Sequence, residues 1–206
     1  PKTPHTCQTL LADADTYPIP VQAAGGGIHF TGAVVGPFAQ SAATSTAKTT
    51  HAPYRPQGKA AIAHQQLLDK ARAGKIDLYF LGDSITRRWG ATDYPDFLAH
   101  WKKNFHGWNA ANFGWGGDST HQILWRIQNG ELDGVNPKVV VLLAGTNNIG
   151  KNPKPGAAQD AAEGIAAILE TIHVRVPAAT IILLPILPRN DSPEASAAVT
   201  RANALI

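Results

Sequence analysis

From Lys59 onward the apolar positions follow two alternating periods, one suited to helices and one to strands buried on both faces. Ala60 to Ala73 predicts a helix with Ile62, Leu67, Leu68 and Ala71 on one side. Ile76 to Leu81 reads as a strand, and Phe97, Leu98 and Trp101 recur at helical spacing. Trp108 to Phe113 predicts a second strand, followed by a helix from about Ser119 that carries Ile123, Leu124 and Ile127. Val139 to Leu143 is an unbroken apolar strand, Ala157 to Val174 an amphipathic helix with Ile165, Ala166, Leu169 and Ile172 inward, and Ile181 to Leu184 another apolar strand. Apolar strands alternating with helices imply a parallel sheet covered on both sides. The expected fold is α/β, a flavodoxin-like three-layer sandwich with a central parallel sheet.

The two ends break this pattern. Up to about Gln57 the chain holds Gly25-Gly26-Gly27, several prolines and the small-polar run Ser41 to Thr46, with brief apolar pieces at Ile28–Phe30 and Ala33–Val35 that suit short strands. Residues 1–57 are therefore expected to form an N-terminal extension or cap, with Lys48 to Pro56 as its linker, and residues 58–206 the main domain. At the other end Val199, Ala202, Leu205 and Ile206 keep helical spacing to the last residue without a glycine stop. The expectation is a truncated domain whose C-terminal strand and helix are missing.

Composition narrows the class. The chain has 206 residues, 44% hydrophobic and 16% charged, against roughly 25% charged in ordinary soluble domains, which points to a packed globular protein. Its net charge of +3 is scattered in pairs such as Arg87-Arg88 and Lys102-Lys103, so no nucleic-acid stripe is expected. No apolar run suffices to span a membrane. Cys7 is the single cysteine, which excludes an internal disulfide and a thiolate metal cluster. Methionine is absent altogether, initiator included. A removed export signal is compatible with that, and a secreted or periplasmic location is favoured over a cytoplasmic one.

In such sheets ligands bind beyond the carboxyl ends of the strands. Three segments at those ends stand out: Gly82-Asp83-Ser84-Ile85-Thr86, Gly114-Trp115-Gly116-Gly117-Asp118-Ser119 and Gly145-Thr146-Asn147-Asn148. Ser84 sits where a strand turns into a helix, a place that suits either an exposed nucleophile or a plain cap. Gly117 offers a bare backbone N–H, and Asn147 a side-chain amide; each alone is an ordinary turn residue. Their recurrence at successive strand ends suits an oxyanion hole. Asp83 and Asp118 stand at helix starts and are expected to cap them. Trp115 fits an acyl pocket and a packing role equally well.

These strings, with Leu81 before the first and Asn112-Phe113 before the second, resemble the first three blocks of the SGNH (GDSL-type) hydrolase family. The likeness is strongest to the platelet-activating-factor acetylhydrolase catalytic subunits and their bacterial relatives. Leu124 to Leu132 and Leu187-Pro188-Arg189 match the same group, and the resemblance covers about Ala60 to Ile206. It implies Ser84 as nucleophile, with the oxyanion hole formed by Ser84 N–H, Gly117 N–H and the Asn147 amide. The family's last block, Asp-x-x-His after the fifth strand, has no counterpart here, so the catalytic His and Asp are not found. His121 is expected to face solvent, His173 to sit at a helix C-terminus, and His5, His29, His51, His64, His100 and His106 to be surface or extension residues.

The implied activity is hydrolysis of short-chain, chiefly acetyl, carboxylic esters of a sugar, lipid or aryl alcohol through an acyl-enzyme. No metal and no organic cofactor is required, and a homodimer is compatible with the resemblance. A dinucleotide site is disfavoured: Ser119 replaces the third glycine of Gly114-x-Gly116-Gly117, and no acid lies near Asn136 to Val139 to take a ribose. The alternative of another class is a catalytically incomplete binding or assembly module that keeps the crevice without the chemistry.

Overall fold

The computed structural model describes residues 33–35 and 51–206. Strand β1 is Ala33–Val35, followed by helix α1, Lys59–Ala73, and strand β2, Leu78–Gly82. Helices α2, Ser84–Arg88, and α3, Pro95–Asn104, lead to β3, Ala110–Gly114. Helix α4, Thr120–Arg126, ends in a wide turn at Ile127–Glu131 before β4, Val139–Leu143. Then come α5, Thr146–Ile149; α6, Ala157–Arg175; β5, Thr180–Leu183; and α7, Pro193–Asn203. The expected strand at Ile28–Phe30, and Cys7, His5 and His29, lie outside the described residues.

The strands form one sheet in the order β1-β5-β4-β2-β3. β2 pairs in parallel with β3 and β4, and β4 with β5, while β1 adds an antiparallel edge. The chain leaves β2 towards β3 and then crosses back to β4, so the topological switch point lies between the carboxyl ends of β2 and β4. That is where a crevice opens in an α/β sheet. The expected α/β class with a central parallel sheet is found, and the order of β2 to β5 is the flavodoxin-like one.

Side-chain alternation divides the sheet into two unequal faces. Tyr79, Leu81, Val140, Leu142, Ile181 and Leu183 are buried, most of them completely. They meet α4 and α6, helices that also pack on each other. On the opposite face Phe80, Val141 and Ile182 are only half-buried, although Phe80 packs edge-on against Trp101 of α3. The sequence pattern anticipated cover on both sides, because both faces are apolar; the depth of burial depends on which helices lie above them.

Local chemistry sets the element ends. Pro95 and Pro193 occupy first-turn positions of α3 and α7, where a missing N–H costs nothing. Ser192 Oγ accepts from Ala195 N at 3.0 Å and starts α7. Helix α7 buries Val199 and Ala202 but closes at Asn203, leaving Leu205 and Ile206 exposed rather than continuing the helical stripe. In α1 the buried stripe is Ala63, Leu67 and Ala71, and Ile62 stands 65% exposed. Ile62 lies a third of a turn off that stripe, which corrects the expectation that it faces inward. Helix α3 has no fully buried residue, and Phe97 is exposed.

Candidate active site

The strand register brings the three candidate loops to one rim. Gly82, at the end of β2, pairs with Gly114 of β3 on one side and with Leu143 of β4 on the other. Ser84 follows two residues after Gly82, Gly117 three after Gly114, and Asn147 four after Leu143. Two glycines allow the first of these loops to fold tightly. A side chain at Gly82 would meet Thr86 Oγ1 at 2.2 Å and Leu143 O at 2.4 Å. One at Gly114 would meet Arg87 N at 2.3 Å and Asp83 O at 2.8 Å. Only hydrogen at both positions lets α2 rest directly on the strand ends.

Ser84 is the first residue of α2 and half-buried. The cap belongs to Asp83, whose Oδ1 accepts from Ile85 N at 2.8 Å, so the serine hydroxyl is not committed to capping. Asn112 secures the other end of α2: its amide donates to Thr86 O at 2.6 Å while its oxygen accepts from Gly114 N at 2.9 Å. Asp83 is 1% exposed, and its Oδ2 is buried without a hydrogen-bond partner. Burial raises its carboxyl to about 6.

The second loop carries Gly117 in the left-handed region at φ +82°, with its backbone exposed. Asp118 does not cap α4, contrary to expectation; that role falls to Ser119, in a reciprocal capping box with Gln122. Asp118 instead turns inward, where its Oδ2 accepts from Arg126 Nε at 2.8 Å. Arg126 is itself buried, pairs with Glu131, and donates to Phe113 O at 3.1 Å and Gly82 O at 3.4 Å. A single guanidinium therefore ties the Gly117 loop to the ends of β2 and β3. Burial raises Asp118 to about 6 despite that partner, because the same cation also serves Glu131. The sequence marked Arg126 only as part of a family string. Its other signal was a lone cation between Leu124 and Ile127 on the buried face of a helix.

The third loop meets the second. Asn147 Nδ2 donates to Asp118 O at 2.8 Å. Asn147 is exposed, and an amide nitrogen carries two hydrogens, so a second donor remains for a ligand. Arg189 supports this loop from outside by donating to Thr146 O and Oγ1, both at 3.0 Å. Trp115 is half-buried; its backbone N–H donates to Gly82 O at 3.2 Å, and Arg87 lies over its ring at 5.6 Å.

The described histidines make their contacts elsewhere. His64 bonds Glu131 at 2.8 Å, and His100 meets Trp89 at 3.2 Å. His106 precedes β3 and His173 lies in the last turn of α6, so both belong to the amino ends of the strands. His51, expected at the surface, is 5% exposed and stacks on His121 at 3.7 Å. His121 is half-buried rather than solvent-facing, and pairs with Asp160 at 3.2 Å. Asp118 and His121 have Asp-x-x-His spacing, yet each is engaged with a different partner.

Residues 80–206, more than half of the chain, match the GDSL-like Lipase/Acylhydrolase family. The chain belongs to this family. Among curated relatives it is 37% identical over 130 residues to the human platelet-activating factor acetylhydrolase IB subunit alpha2, covering 63% of this chain and 52% of that protein. It is 35% identical over 130 residues to the bovine subunit alpha1, with 63% and 51% covered. The chain thus spans about half the length of the curated relatives it matches. A solved GDSL-like lipase from Bacteroides thetaiotaomicron superposes with a TM-score of 0.50 at 24% identity, over 69% of this chain and 68% of that one, a likeness of fold. No helix among the described residues is long and apolar enough to cross a membrane.

Proposed function

We propose that this GDSL-like acylhydrolase hydrolyses short-chain carboxylic esters, acetyl esters foremost, with Ser84 as nucleophile. Ser84 Oγ attacks the ester carbonyl carbon, and the carbonyl π pair moves onto oxygen. The N–H groups of Ser84 and Gly117 and the free Asn147 amide hydrogen stabilise that oxyanion. A base takes the Ser84 proton and gives it to the alcohol as collapse expels it, leaving acyl-Ser84. Water, losing a proton to the same base, then releases the acid, and that proton returns to Ser84 Oγ. The observation that carries this reading is the bond from Asn147 to Asp118, since it holds the third donor beside the Gly117 loop.

The serine proton needs a base, and no Asp-x-x-His follows β5 within these 206 residues. Without such a base a related triad retains only the contribution of the hole and binding, roughly 10³–10⁴ over water. The alcohol is a small sugar, lipid or aryl group. The test compares p-nitrophenyl acetate hydrolysis by the chain extended through an Asp-x-x-His block and by its Ser84→Ala variant, with mass spectrometry of the Ser84 peptide. An acetyl adduct and a rate that falls with the substitution are expected. Equal rates and no adduct would return the chain to the non-catalytic binding module.

A further inference from the structure

We propose that His51, His121 and Asp160 form a binding site for one divalent transition ion of the zinc type, distinct from the Ser84 crevice. His51 Nδ1 lies 3.3 Å and His121 Nε2 3.2 Å from the same atom, Asp160 Oδ1. All three donor atoms fall within 4.8 Å of one another. Tetrahedral zinc with bonds of about 2.0–2.2 Å separates neighbouring donors by roughly 3.3 Å, and two imidazoles with a carboxylate make a fitting donor set.

The hydrogen bonds around the cluster leave its centre short of positive charge. His121 Nδ1 contacts Ala52 O at 2.8 Å, and a carbonyl only accepts, so Nδ1 carries the proton. In a neutral His121, Nε2 then presents a lone pair to a carboxylate oxygen. His51 Nδ1 faces that same oxygen, buried and without a hydrogen-bond partner. Its Nε2 sits 3.0 Å from Thr120 Oγ1. Asp160 Oδ2 is held at 2.7 Å by Asn148 Nδ2, which also donates to Thr120 Oγ1 at 2.7 Å. Each prospective ligand thus has its outer atom oriented by a neighbour, as ligands of bound metals do.

Packing keeps the group close together. A side chain at Gly164 would meet Thr120 Oγ1 at 2.1 Å and His51 Nε2 at 2.7 Å, so only glycine lets α6 approach. The two rings lie face to face, 16° from parallel, and direct their lone pairs alongside each other. Ligation therefore requires a turn of the His121 ring, which its 32% exposed side chain permits. The ion would link the segment before α1 to the first turns of α4 and α6, a structural crosslink rather than a source of activated water.

The test is calorimetric titration of Zn²⁺ into the untagged, chelator-treated full chain at pH 7.5, repeated with Co²⁺ while visible absorption is recorded. One saturable Zn²⁺ site, a cobalt d–d band and a raised Tm are expected. His121→Ala and Asp160→Asn should each weaken binding at least about tenfold, and exposed His100→Ala should leave it unchanged. Circular dichroism confirms that each variant is folded, and using two variants keeps the test valid if one is not. Absence of saturable binding, or wild-type affinity in both ligand variants, overturns the site and leaves only the His121–Asp160 contact in its place.

Discussion

The side-chain amide of Asn147 donates to the backbone carbonyl of Asp118 across 2.8 Å, joining the loops of the two strands that flank β2. Asp118 directly follows Gly117, so this bond sets the spacing between two of the proposed oxyanion donors. Asn147→Ala should lower kcat on p-nitrophenyl acetate by about 10²–10³ with little change in KM, as loss of one such donor does elsewhere. Because Asn147 is exposed, the thermal midpoint should move little. Steady-state kinetics and a melting curve on the same preparation check both halves.

Arg126 is a fully buried cation shared by two buried carboxylates. Arg126→Met would leave Asp118 and Glu131 facing each other without it, at a cost of about 3–5 kcal/mol. Asp118→Asn should cost less, because a neutral amide can still accept from Arg126. Urea unfolding of the two variants is expected to rank them in that order.

Asp83 makes stability depend on pH with a definite sign. Its folded carboxyl titrates at about 6, above the unfolded value near 3.8, so the folded state binds the proton more readily. Its contribution is fully present below the unfolded value and is lost as pH rises through about 6, up to about 3 kcal/mol. Asp83→Asn keeps the cap oxygen and removes the charge, so its advantage over wild type should grow between pH 4 and 7. His51, held below its ordinary value by burial, acts with the opposite sign, and the wild-type-minus-variant difference cancels it. Tm measured across that range for both proteins decides; parallel curves would remove Asp83 as the source.

Gly114 faces backbone atoms that have no room to retreat. Gly114→Ala should therefore shift α2, destabilise the fold by about 1–3 kcal/mol, and reduce activity more than its Tm loss explains. The comparison is hydrolysis rate well below the melting point against chemical denaturation.

The strands β2, β3, β4 and β5 were legible because each is a short apolar run bounded by turn residues, and their alternation with helices implied a parallel sheet. Ser84, Gly117 and Asn147 were legible as residues after strand ends. The facing of α1 was misjudged at Ile62, since neighbouring apolar residues at helical spacing define two overlapping stripes and only the surroundings choose one. His51 was misplaced for a related reason: it lies in a proline-rich segment without periodicity, yet packs under Gly164 and Thr120.

What the sequence by itself determined is the α/β class, the strand-end positions of the candidate residues and the family, because periodicity and short motifs are properties of neighbouring residues. The tertiary structure alone decided which groups share a partner. Arg126 serves Asp118, Glu131 and the ends of β2 and β3; Asn147 meets Asp118; His51, His121 and Asp160 converge on one oxygen. Such contacts join residues far apart in the chain, and their strength depends on burial and distance, which exist only once the sheet has brought its loops to a common rim.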